Sequence, residues 1–130
     1  MHKTSKKDFE FFVAEFKKAL HKLGLNEWKV YFIHSNLKET SRANVCHDGG
    51  VWVATVRLST RWDEKPTHNS LRSSARHEAL HILTARMMFL ANCRFIDSEE
   101  IRQESERLAR ILHRALWGDE DLFEVCVPEV

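Results

Sequence analysis

The chain has 130 residues, 43% of them hydrophobic, which suits one domain with a modest core. Its 20 Lys and Arg offset its 19 Asp and Glu, so it exerts no long-range pull on nucleic acid or an anionic membrane. No apolar stretch is long enough to cross a bilayer, and Asp8, Glu10 and Glu15 interrupt the start of the chain, so no signal peptide is read there.

The first predicted element is a helix from Lys6 to Leu23. Ser5 is its N-cap, Asp8 lies three residues on, and Gly24 is the stop. Phe9, Phe12, Val13, Phe16, Ala19, Leu20 and Leu23 form one apolar stripe, with Phe11 outside it. Residues 28–33 read as a strand and 43–46 as a second. Asp48-Gly49-Gly50 is a turn. From Val51 to Leu58 the pattern alternates, placing Trp52, Ala54, Val56 and Leu58 on one side of a third strand. The middle of the chain is therefore expected to be a small, mostly antiparallel sheet.

Beyond Pro66, Thr67 and Asn69 are helix starters, and residues 70–90 are helical in pattern. The second half of that helix is apolar on nearly every side, which predicts a central, buried position. After a loop, Asp97 or Ser98 caps a last helix that runs to Trp117 and ends at Gly118. The tail 119–130 reads either as a short strand or as an ordered arm. Cys46, Cys93 and Cys126 are odd in number and form no CxxC pair, which predicts small buried hydrophobes in a reducing, cytoplasmic interior.

The chemistry lies in His77-Glu78-Ala79-Leu80-His81. Residues four apart on a helix share a face one turn apart, the span two imidazoles need to hold one zinc ion. Glu78 stands to the side of the metal direction, where a carboxylate takes a proton from a zinc-activated water and passes it to a leaving amine. His2, His21 and His113 are expected in solvent, His34 and His47 near strand ends, and His68 at the start of the motif helix. The longer HExxHxxGxxH pattern is missing, since Thr84 and Met87 occupy its glycine and third-histidine positions. A third ligand is then sought on the last helix among Glu99, Glu100, Glu104 and Glu106. Glu104 lies on the same face as Ile101, Leu108, Ile111, Leu112 and Ala115, and an acid on an inward face calls for a cation. Glu100 takes its place if the helix is turned by about 40°.

With these residues in hand, positions 25–117 resemble a minimal zincin-like metallopeptidase of the gluzincin type, and are particularly similar to the small zincin-like proteins of phages and prophages. The resemblance implies an α+β fold: an N-terminal helix, a small sheet, the HExxH helix and a C-terminal helix, forming a single domain over 1–130. It implies a zinc ion held by His77, His81 and Glu104, with Glu78 as general base, and hydrolysis of a peptide or protein substrate. SprT-like domains share the layout but use a later histidine, and His113 lies about 180° around the helix from Glu104. The NExxSD signature of thermolysin-like enzymes is missing, because Glu104 is followed by Ser105-Glu106-Arg107. In zincin-like folds the last strand before the motif helix borders the active site, so Val53, Ala54, Thr55 and Val56 are expected to bind substrate backbone by edge pairing. Two other readings stand beside the peptidase: a non-catalytic zincin-like module that grips or regulates a protein partner, and a helical interaction protein in which the motif is accidental.

Overall fold

The computed structural model of the chain describes residues 1–38, 41–93 and 95–118, and for Trp117 the backbone alone. The elements run β1 (His2–Lys3), α1 (Lys6–Lys22), β2 (Lys29–Ser35), β3 (Ala43–Asp48), β4 (Val53–Ser59), β5 (Arg61–Trp62), α2 (His68–Asn92) and α3 (Ser98–Trp117). The fold is α+β, and the tail 119–130 lies outside the described residues.

Local chemistry sets the helix ends. Ser5 caps α1 in a capping box with Asp8, and Thr67 caps α2 in a reciprocal box with Ser70. Asp97 caps α3 by accepting from the Glu100 N–H. Gly24 follows α1 with φ +70°, a left-handed turn that glycine adopts without a Cβ clash.

The main sheet has the order β2–β4–β3. β3 and β4 form an antiparallel hairpin, while β2 and β4 run parallel over seven register pairs from Lys29↔Val53 to Ser35↔Ser59. Two of the three strand pairings, β3–β4 and the short β1–β5 clip, are antiparallel, and only β2–β4 is parallel. The inward face of β4 is the expected one: Ala54, Val56 and Leu58 are buried, as are Phe12 and Phe16 of α1. Phe16 meets Phe32 of β2 edge to face, with ring centroids 5.3 Å apart. Phe11, outside the predicted stripe, stacks on His68 at the start of α2 and so joins the two helices.

β4 is the central strand, hydrogen-bonded on both sides. Edge pairing of substrate at Val53, Ala54, Thr55 and Val56 is therefore excluded, because β2 and β3 already occupy both edges of that strand. The edge beside the motif helix belongs to β3, which packs against α2. Alternating apolar residues mark a strand with one face on the core, but they do not tell whether its neighbours lie on one side or two.

α2 packs against α1, β3 and α3. It buries Leu71, Ala75, Glu78, Ala79, Ile82, Leu83, Ala85 and Leu90, and exposes His77, Leu80, His81, Thr84 and Met88. The expectation of a helix buried all round is thus corrected, since one side of α2 faces outward and carries both motif histidines. The cysteine expectation is corrected too: Cys46 is exposed on β3 and Cys93 is half-buried, while Cys126 lies outside the described residues. None of the helices described is long and apolar enough to cross a membrane.

Candidate metal centre

One helical turn separates His77 from His81, and the two rings turn toward each other. Their Nε2 atoms lie 3.2 Å apart, with the ring planes almost perpendicular. Two nitrogens bound to one tetrahedral zinc at 2.0–2.1 Å stand about 3.3 Å apart. The histidine pair therefore has the bite of two zinc ligands. At this distance one Nε2 can also donate an N–H to the other, which then accepts through its lone pair.

Glu78 turns the other way, into the protein, with 8% of its surface exposed. Burial raises its carboxyl pKa above the usual range, and the charges of His81 and His77 act against that rise. A cavity of about 300 Å³ lined by Arg42, Ala43, Ser73, Ser74, His77 and Glu78 places the carboxylate beside the first motif histidine and the start of the β3 edge. Arg42 is fixed there by ion pairs to Asp63 and Glu64 and by its position over the Trp62 ring. Neither Arg42 nor Ser73 belongs to a recognisable motif. Ser73 was nevertheless within reach of sequence reasoning, four residues before His77 and so on the same helix face.

Glu104 points inward, as its place on the apolar face of α3 predicted, and is only 6% exposed, while Glu99, Glu100 and Glu106 remain in solvent. Its partner is Arg107, whose Nη1 donates to Glu104 Oε1 at 3.0 Å, while Nη2 donates to Glu27 Oε1 at 2.6 Å. The Arg107 guanidinium also lies 4.8 Å from the ring centroid of Trp52. Among the described residues, no three His, Cys, Asp or Glu side chains are arranged to hold a metal ion. The histidine pair thus fits zinc, while the carboxylate expected to complete the set is held by a guanidinium. Arg107 is three residues beyond Glu104, a spacing at which helix side chains meet.

The other histidines go elsewhere. Thr4 Oγ1 gives its proton to the Ser59 carbonyl at 2.7 Å, so His34 Nε2, also 2.7 Å away, must donate to that hydroxyl. The His34 ring stacks on Phe9 and does not lean toward the motif. His47 is exposed on β3, opposite Ala54 in the register.

Trp52 connects the sheet to α3. It adopts φ +59° at the end of the β3–β4 turn, and Arg86 and Arg107 both lie within reach of its ring. Gly49 lets this turn touch α2, because a Cβ there would stand 2.7 Å from Phe89 Cβ and 2.9 Å from the Ala85 carbonyl.

Comparison of the chain with protein-family profiles, with curated proteins and with solved structures gives no match.

Proposed function

We propose that the chain is a zinc-dependent metallopeptidase. The observation that carries the reading is the 3.2 Å approach of His77 Nε2 and His81 Nε2, with the buried Glu78 between them in sequence and its carboxyl pKa raised. His77 and His81 would supply two zinc donors. Glu104 is the acid proposed as the third, once its carboxylate exchanges Arg107 for the metal. The ion would supply Lewis acidity, lowering the pKa of a water molecule toward neutrality. Glu78 takes up the proton and delivers it to the leaving amine, a role that a raised carboxyl pKa favours near neutral pH.

An extended peptide has a place to lie along β3. The Ser59 N–H donates to the Arg42 carbonyl at 2.8 Å, which makes Arg42 and Ser59 a hydrogen-bonded pair. By the alternation of an antiparallel ladder, the N–H and C=O of Ala43, Val45 and His47 then point away from β4. Ala43 shares the cavity of His77 and Glu78, so a strand added at this edge would pass the proposed catalytic groups.

One observation favours a second reading. The Glu104–Arg107–Glu27 chain leaves the histidine pair without a third donor, which suits a non-catalytic module that grips a protein partner. Metal analysis and peptide-library turnover of wild type and Glu78→Gln separate the readings. A peptidase carries one zinc per chain and loses turnover in Glu78→Gln with zinc retained. A chain that takes up no zinc in zinc-replete medium ends both.

A further inference from the structure

We propose that the substrate of this site is a peptide segment combining acidic side chains with a large apolar one, and that the groove between α1 and α2 selects it. The proposal rests on the peptidase reading for what happens to the peptide, but not for its capture.

Three hollows form a continuous track across the outward face of α2. The cavity at Glu78 shares Ser73 and His77 with a second, of about 380 Å³, that also takes in Arg72, Arg76 and Leu80. The second shares Arg76 and Leu80 with a third, of about 410 Å³, lined further by Glu15, Lys18, Ala19, Lys22 and Leu23 of the α1 side. Each is large enough for a bulky side chain. A chain leaving the β3 edge at Ala43 meets His77 and then runs into the groove between the helices.

The lining states what the groove takes. Its floor is Ala19, Leu23 and Leu80, and Leu80, the residue before His81 in the motif, keeps 49% of its surface in solvent. Four cations stand around this floor: Lys18, Lys22, Arg72 and Arg76. The one acid among them, Glu15, is buried and already paired with Lys18 at 3.5 Å and Arg72 at 3.6 Å. Lys22 and Arg76, which flank Leu80, have no ion-pair partner among the described residues. In a chain whose formal net charge is only +1, this strip concentrates positive charge beside an exposed leucine. Complementary charge speeds encounter and rejects like-charged chains, while the apolar floor supplies contact area. The floor is aliphatic, and His77 alone among the residues lining these two hollows carries an aromatic ring, too little for a run of nucleobases to stack on, which sets a peptide above a nucleic acid.

The test measures capture apart from cleavage. Two fluorescein-labelled octapeptides are titrated into the full chain in chelator, and again into zinc-loaded Glu78→Gln, with anisotropy as the readout. One carries three glutamates around a leucine–phenylalanine pair, the other three lysines in their place. The expected result is binding of the acidic peptide in both conditions, at least tenfold tighter than the lysine peptide and weakened by raising the salt. Lys22→Glu and Arg76→Glu each weaken it about tenfold or more, and Leu80→Ser weakens it with the melting temperature unchanged. Equal binding of the two peptides, no binding of either, or equal binding by a single-stranded oligonucleotide overturns the proposal. Capture in a chain that takes up no zinc would overturn the peptidase reading and leave the groove assignment standing.

Discussion

His77 and His81 bring their Nε2 atoms to 3.2 Å although both rings lie on the exposed side of α2, so helix geometry, the choice of rotamer and the contact between the two rings hold them together. Such a pair acts as one bidentate unit. His77→Ala and His81→Ala are each expected to lower zinc affinity at least a hundredfold, and the double substitution to do little more, because the first already destroys the chelate. Zinc titration against a fluorescent chelator reads all three. Losses that simply add would show that the histidines bind independently.

The Glu104–Arg107 contact makes a second prediction. If the carboxylate joins the metal, Glu104→Ala lowers zinc affinity at least tenfold, and Glu100→Ala and Glu106→Ala leave it within twofold. Arg107→Met, which removes the competitor, is expected to raise zinc affinity while costing about 2–3 kcal/mol of stability, somewhat less than a fully buried pair. Isothermal titration and urea unfolding give the two numbers. An unchanged zinc affinity in Glu104→Ala removes this residue from the site.

The sheet order separates two proline substitutions. Thr55→Pro deletes a donor in the central strand and is expected to abolish folding at 37 °C, whereas Ala43→Pro touches only the first residue of an edge strand. Ala43→Pro should therefore keep a cooperative melt and raise KM for an extended peptide several-fold, with kcat less affected. Unchanged peptide kinetics in a folded Ala43→Pro would rule out β3 as the substrate edge.

Gly49 predicts a packing defect. A methyl group there meets the Phe89 side chain and the Ala85 backbone at less than 3 Å, and the backbone of α2 has little room to retreat. Gly49→Ala should cost about 1–3 kcal/mol, read as a fall in the urea midpoint at constant slope. A neutral effect would mean that the turn stands farther from α2.

His34 predicts an acid-sensitive contribution. Burial lowers its pKa from 6.5, with Asp8 opposing, so the unfolded chain binds the proton first. Both states are neutral above that value, and stability falls as the pH drops below 6.5 toward the folded pKa. Urea midpoints from pH 7.5 to 5 should fall less steeply in His34→Gln than in the wild type. Parallel slopes would show that His34 does not report this linkage.

Much of this architecture could be read from residue patterns because it is local. Ser5 with Asp8, Asp97 before Glu99 and Glu100, and Gly118 are chemical punctuation that needs no tertiary context, and the helices end where it stands. The alternation through Ala54, Val56 and Leu58 likewise shows the buried face of β4. Strand order does not reside in that alternation. It follows from which neighbours compete for the two edges of β4, and the parallel partner β2 lies more than twenty residues upstream. The clip strands β1 and β5 were unreadable because two residues give no period. At the site, the spacing of His77 and His81 carried their convergence and the apolar stripe of α3 carried the inward turn of Glu104. The spacing of Glu104 and Arg107 on one helix carried their pairing as well, whereas the packing of α3, which sets Arg107 between Trp52 and Glu27, was not legible in it.

The β1–β5 clip also constrains the order in which the chain assembles. Its register joins His2 to Trp62, and closing a flexible loop of that length costs about 3–4 kcal/mol. Two residue pairs do not offset such a cost, so β1 reaches β5 only after α1 has docked on the sheet and brought the ends together. The β3–β4 hairpin, joined by a short turn, has no such wait. Pulse-labelling hydrogen exchange during refolding should accordingly protect hairpin amides such as Ser59 before the amide of Thr4, whose N–H bonds to the Thr60 carbonyl across the clip. In the native protein the same order is expected to run backwards, with the clip opening first, by fraying, without the rest of the fold coming apart.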